Sequence, residues 1–152
     1  AFLYSNLGLA AFEVDPRPPN SDKALVCVPG LTDGLLSLRY MPALAEAVRP
    51  LGWRLVQPLL SSSYRGWGQG SLDEDVAELD VLLDFLRKKR GIQKVVLLGH
   101  STGCQDVVRY LSAGKQMPVV VGAVLQAPVS DREAVFAEGG WGVVEELAKW
   151  RK

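Results

Sequence analysis

The sequence predicts an α/β fold, with a mostly parallel sheet and flanking helices, and three observations carry that prediction. Unbroken apolar runs of strand length recur: Ala24-Leu25-Val26-Cys27-Val28, Val95-Val96-Leu97-Leu98 and Val119-Val120-Val121-Gly122-Ala123-Val124-Leu125. Strands covered on both faces, as in parallel sheets, read this way. Segments with helical apolar spacing lie between them. Turns bearing glycine or proline stand at the carboxyl ends of the runs.

The totals bound the function. With 152 residues, 48% hydrophobic and 22% charged, the chain is expected to form one globular domain with a real core. Lys plus Arg and Asp plus Glu are 17 each, so no net charge recommends nucleic acid or an anionic membrane surface. No apolar run approaches the length of a membrane span. The start, Ala1-Phe2-Leu3-Tyr4, lacks the layout of a signal peptide. It also lacks an initiator Met, so a segment upstream is expected, and organelle targeting by it stays open. Cys27 and Cys104 fall on a predicted buried strand and a predicted buried helix face, which predicts reduced thiols and a reducing, cytoplasmic setting. Neither a metal site nor a cofactor is expected.

In chain order, residues 9–14 alternate weakly and predict a strand, with a proline-rich exit loop over 15–22. The strand at 23–28 ends in Pro29-Gly30-Leu31-Thr32-Asp33-Gly34. Tyr40, Leu44, Ala47 and Val48 then recur at helical spacing, and Pro50 closes that segment. The strand at 53–56 is expected to break at Pro58 and open into a long polar and aromatic loop through Gly70. Ser71-Leu72-Asp73-Glu74 is a capping box. The helix it starts puts Val76, Leu79, Leu83 and Leu86 on one face and stops at Gly91, with its basic residues late. Those basic residues read as a solvated helix end. After the strand at 94–98 a further helix is predicted to bury Cys104, Val107, Val108 and Leu111. Residues 117–127 predict another buried strand, and 141–152 a last helix with Val144, Leu147 and Ala148 on its apolar side.

The chemistry concentrates where strand passes to helix at Gly99-His100-Ser101-Thr102-Gly103. This Gly-x-Ser-x-Gly has the context of a nucleophile elbow, in which a serine stands at the apex of a strained turn. Glycines are needed because side chains there would collide, and the apex hydroxyl would stand near the positive end of a helix. Acyl transfer needs an activated hydroxyl and donors for the developing oxyanion. Ser101 is the expected nucleophile. The backbone N–H groups of Thr102 and Leu31 are the expected oxyanion donors, with Thr32 as fallback for Leu31. The base is the missing part. His100 is the chain's single histidine, and it is expected to point into the sheet, away from the Ser101 hydroxyl, as a buried, hydrogen-bonded structural residue. Asp131, after the strand at 117–127, is a weak candidate acid that reads at least as well as a helix cap.

Four stretches together resemble the α/β-hydrolase superfamily: Gly30-Leu31-Thr32-Asp33-Gly34, Gln57-Pro58-Leu59-Leu60-Ser61-Ser62-Ser63-Tyr64, Leu98-Gly99-His100-Ser101-Thr102-Gly103-Cys104-Gln105-Asp106 and Gln126-Ala127-Pro128-Val129-Ser130-Asp131-Arg132-Glu133. In detail they look like a largely uncharacterised eukaryotic hydrolase family that includes fungal fusarinine C (siderophore) esterases. The resemblance implies an esterase-like serine hydrolase acting through Ser101 on a small-molecule ester or related acyl substrate. It also implies further sheet, with the acid and the histidine, that this chain does not contain. Residues 1–152 are thus expected to be a single α/β-hydrolase-like domain, truncated at the C-terminus, with an incomplete α/β-hydrolase fold. The strand at 119–125 is then an edge through which the chain self-associates. Two other readings compete: a non-catalytic binding or interaction protein, and a different chemistry at the same serine, such as acyl transfer to an alcohol or perhydrolysis.

Overall fold

The computed structural model describes residues 1–14 and 21–130. The strands, in chain order, are β1 (Phe2–Leu3), β2 (Ala10–Val14), β3 (Lys23–Val28), β4 (Trp53–Pro58), β5 (Lys94–His100) and β6 (Val120–Gln126). The helices are α1 (Met41–Val48), α2 (Leu72–Arg90) and α3 (Gly103–Ala113). The strands form one sheet in the order β1-β2-β4-β3-β5-β6. β4, β3, β5 and β6 run parallel, while β2 joins β4 and β1 joins β2 antiparallel.

The alternation of side chains along each strand divides the core in two. Ala24, Val26 and Val28 of β3, with Val95 and Leu97 of β5, face Val76, Leu79, Leu83 and Leu86 of α2 and Val107 and Tyr110 of α3. Leu25, Cys27, Leu55 and Leu98 face the other way, onto Met41 and Ala45 of α1. The middle of the sheet is therefore covered on both faces, which is why β3 reads as an apolar run; β6, expected to be a buried strand, is instead half-buried or exposed along its length, because it stands at the margin of the described sheet.

The α2 prediction holds in detail. The Ser71 hydroxyl accepts from the Glu74 N–H, and Gly91, at φ 70°, ends the helix. All four predicted apolar residues are buried. On α1 the buried residues are Met41 and Ala45, with Leu44 and Val48 half-buried; Tyr40 and Ala47, expected inside, are exposed. Pro42 fixes where that helix starts, so its inner face turns by about one residue. β4 runs on through Pro58, where a break was expected. Pro58 is its last residue, opposite Ala11, where a missing N–H costs the ladder least. On α3, Cys104 and Val107 are buried as expected, but Val108 and Leu111 are 54% and 41% exposed. The inner face instead takes Asp106 and Tyr110, because α2 and the sheet lie on that side. The predicted helix at 141–152 lies outside the described residues.

The strand order fixes where a site can form. From β3 the chain crosses by α1 to β4 on one side, and from β5 it crosses by α3 to β6 on the other. β3 and β5 are neighbours, so the loops leaving their carboxyl ends diverge and open a crevice between them. That is the usual ligand position in open parallel sheets.

Candidate active site

The turn after β5 forms one wall of this crevice. β5 ends at His100, Ser101 has φ 54°, and α3 starts at Gly103. A serine in the left-handed region costs about 1–3 kcal/mol and is held only where its surroundings over-determine it. Here the Ser101 N–H donates to the Gln126 carbonyl at 3.0 Å, and the Ser101 carbonyl accepts from the Cys104 N–H at 3.1 Å. The flanking glycines are required by space. A Cβ on Gly99 would lie 2.5 Å from the Gly103 carbonyl oxygen, and one on Gly103 would lie 2.4 Å from that of Pro29. β5, α3 and the end of β3 thus meet too closely for side chains.

The opposite wall is the turn after β3. It rests on the serine, since a Cβ on Gly30 would lie 3.0 Å from Ser101 Cβ. The cleft beside the serine has a volume of about 510 Å³, and Leu31, Ser62, Trp67, Asp75, Thr102 and Asp106 are among its lining residues. Leu31 and Thr102, named from the sequence as backbone donors, therefore line one cleft. Among the described residues neither amide donates to a protein acceptor. Thr102 stands at the N-terminus of α3, where helix amides lack intrahelical partners and the dipole favours negative charge.

His100 is not in that cleft. Its Nδ1 is hydrogen-bonded to Gln126 Oε1, which also accepts from the Tyr40 hydroxyl at 3.3 Å. Its Nε2 lies 3.9 Å from Asp33 Oδ2. The ring is on the α1 side of the sheet, like Leu98 two residues earlier. Its side chain keeps 22% exposure, where a buried ring was expected, because it lies beyond the last core layer. Asp131 lies outside the described residues. Burial pushes the Cys27 thiol up to about 12, so that thiol is no nucleophile near neutrality. Among the described residues no group of three or more His, Cys, Asp or Glu side chains could hold a metal.

Two carboxyls under the cleft carried no expectation from the sequence. Asp75 of α2 and Asp106 of α3 are only 7% and 6% exposed. The Ser62 hydroxyl donates to Asp75 Oδ1 at 2.8 Å, while Asp106 Oδ1 has no ordinary hydrogen-bond partner among the described residues. Burial, then the charge of Asp75 and a hydrogen bond with it, pushes Asp106 up to about 7. Burial likewise raises Asp75, against the Ser62 hydrogen bond. Burial and the neighbouring carboxyl thus favour the protonated form of Asp106. A signal existed: Asp75 lies four residues before Leu79 on the apolar stripe of α2, and Asp106 is flanked by buried positions on α3. Gln57, 1% exposed, was also passed over. It accepts from the Leu36 N–H and donates to the Gly34 carbonyl, both at 2.9 Å, and so braces the loop after β3.

Residues 4–152 match the family described as "Protein of unknown function (DUF1749)". The chain belongs to that family. Among its relatives is the Fusarinine C esterase sidJ of Aspergillus fumigatus, 37% identical over 158 residues, covering 86% of this chain and 44% of the relative. The structure of the siderophore hydrolase EstB from Aspergillus fumigatus superposes with a TM-score of 0.73 at 40% identity, over 90% of this chain and 45% of that one. An α/β-hydrolase fold protein of unknown function superposes at 0.70 with 23% identity, over 82% of this chain and 41% of that one, a likeness of fold alone. The fold is that of the α/β hydrolases, and the chain spans under half the length of these relatives. No described helix is long and apolar enough to cross a membrane.

Proposed function

We propose that this chain carries the nucleophile and oxyanion portion of an esterase-like serine hydrolase. Ser101 Oγ attacks the carbonyl carbon of a small-molecule ester or related acyl substrate. The C–Oγ bond forms, and the carbonyl oxygen takes the negative charge between the N–H groups of Leu31 and Thr102. On collapse the carbon–oxygen bond to the leaving alcohol breaks, and the alcohol departs with the proton given up by the Ser101 hydroxyl; water then cleaves the acyl–Oγ bond, its hydroxyl going to the acid and its proton back to Ser101. The observation that carries this reading is the serine held at φ 54° between β5 and α3, next to a cleft lined by Leu31 and Thr102. Relatives whose names include an esterase and a siderophore hydrolase support ester cleavage as the reaction class.

The base is not supplied by His100, which is engaged with Gln126 on the other side of the sheet. That engagement is the observation in favour of the alternative, a non-catalytic binding protein. Without a base the chain should give at most the residual acceleration of an oxyanion site and binding, about 10³–10⁴ over water. A fluorophosphonate probe tests the reading. Slow labelling of Ser101, abolished in Ser101→Ala, is expected. Label on Ser61, Ser62 or Ser63 instead would overturn it.

A further inference from the structure

The loop after β3 contains a contact whose purpose the proposed chemistry alone does not explain. Asp33 Oδ2 accepts the Gly30 N–H at 3.0 Å, while the Asp33 N–H donates to the Gly30 carbonyl at 3.0 Å. The same two residues are therefore clasped twice, by side chain and by backbone. Inside the clasp Thr32 holds φ 62°. A β-turn with positive φ at its third position normally has glycine or asparagine there. For a β-branched residue this conformation is an outlier, so it has to be imposed by neighbours. The second half of the loop has separate anchors: Gln57 on Gly34 and Leu36, and the Tyr64 hydroxyl accepting from the Leu35 N–H at 3.0 Å. The carboxylate is thus left to the first half, which touches the serine.

With the Gly30 N–H spent on Asp33, the next amides of the turn, those of Leu31 and Thr32, have no protein acceptor among the described residues, and of these two residues it is Leu31 that lines the cleft. We infer that Asp33 is a positioning residue whose carboxylate takes the Gly30 N–H and locks the Thr32 turn, so that the Leu31 N–H is presented beside Ser101. The inference takes its functional meaning from the hydrolase reading. It also makes a distinction that a merely structural role would not. A negative carboxylate so near a developing oxyanion is electrostatically adverse, so what the turn needs from residue 33 is an acceptor, and a neutral one suffices.

The test is fluorophosphonate labelling of the 152-residue chain, with every protein compared carrying Val121→Lys to suppress association through β6, followed by intact mass for the rate and by ¹H–¹⁵N spectra of the adduct for the amides. In the wild type the Leu31 and Thr102 amides should both move downfield on labelling. Asp33→Ala should label about 100-fold more slowly, the cost of misplacing a catalytic group by about 1 Å, and should lose the Leu31 shift while keeping that of Thr102. Asp33→Asn should keep both shifts and label within a few-fold of wild type. If Asp33→Ala does not fold, Asp33→Glu, which displaces the acceptor by one methylene, carries the same expectation. Wild-type rates and a wild-type Leu31 shift in the Ala or Glu variant would overturn this inference alone, as would an Asn variant as slow as Ala. An unlabelled Ser101 in the wild type would overturn the hydrolase reading, and this one with it.

Discussion

Replacing Asp106 by asparagine should stabilise the protein, and only above acid pH. The folded state raises this carboxyl from an ordinary 3.8 to about 7, chiefly by burial and then by Asp75. A raised value means that the folded chain holds the proton more tightly than the unfolded chain does. The favourable contribution is therefore complete below about pH 4, is lost as pH rises toward 7, and stays lost above it. Over that interval the loss is about 4 kcal/mol, at 1.36 kcal/mol for each tenfold change in proton affinity. Asparagine stays neutral throughout and can still donate to Asp75. The stability of Asp106→Asn relative to wild type should accordingly grow by roughly 3–4 kcal/mol between pH 4 and pH 8. Urea denaturation at sub-micromolar protein, followed by tryptophan fluorescence at several pH values, measures it. With a slope near 2 kcal/mol/M, the midpoint difference should widen by roughly 1.5–2 M. Because the two chains differ at one residue, the pH dependence of groups away from the Asp75–Asp106 pair cancels. A difference that is the same at pH 4 and pH 8, or that favours wild type at pH 8, would refute the raised Asp106 carboxyl.

Two further outcomes rest on packing. Gly103→Ala puts a methyl 2.4 Å from the Pro29 carbonyl oxygen, with backbone on both sides, so it should cost about 1–3 kcal/mol and slow labelling of Ser101; a variant as stable and as reactive as wild type would show that the walls are not pressed together. β6 has only β5 beside it among the described strands, bears no charge from Val120 to Gln126, and leaves Val121 and Val124 56% and 48% exposed. The isolated chain should therefore self-associate at tens of micromolar, with Val121→Lys suppressing it, and a monomer in sedimentation of the wild type would refute that.

The middle of the sheet was legible because burial on both faces leaves only apolar residues at 24–28 of β3 and 95–98 of β5, and such runs have no competing reading once glycine turns bound them. α2 was legible for another reason: its cap, its stripe and its terminal glycine agree. The misplaced residues share a cause. Val108 and Leu111 are apolar at helical spacing, yet periodicity gives the angle between residues and not which angle faces the sheet. Asp106 illustrates the converse: its position among apolar helix residues is a signal, but its role cannot be read until its partner, 31 residues earlier on another helix, is known. The serine turn could be read from five consecutive residues, since its glycines answer a local steric demand. The contact between Asp33 and Gly30 is equally local, but a carboxylate three residues after a glycine has too many ordinary uses to be singled out.

Gln126 gives the arrangement an order of assembly. Its carbonyl holds the Ser101 N–H, and its side chain joins His100 to Tyr40, yet it is the last residue of the outermost described strand. A ladder at one margin of the described sheet therefore anchors a strained residue of the crevice. Were the end of β6 to part from β5, Ser101 would lose the bond that its N–H makes to the Gln126 carbonyl and would be free to relax. Reactivity at the serine becomes a report on whether the sheet is closed at that margin, and anything that pairs with β6 tightens the serine from one strand away.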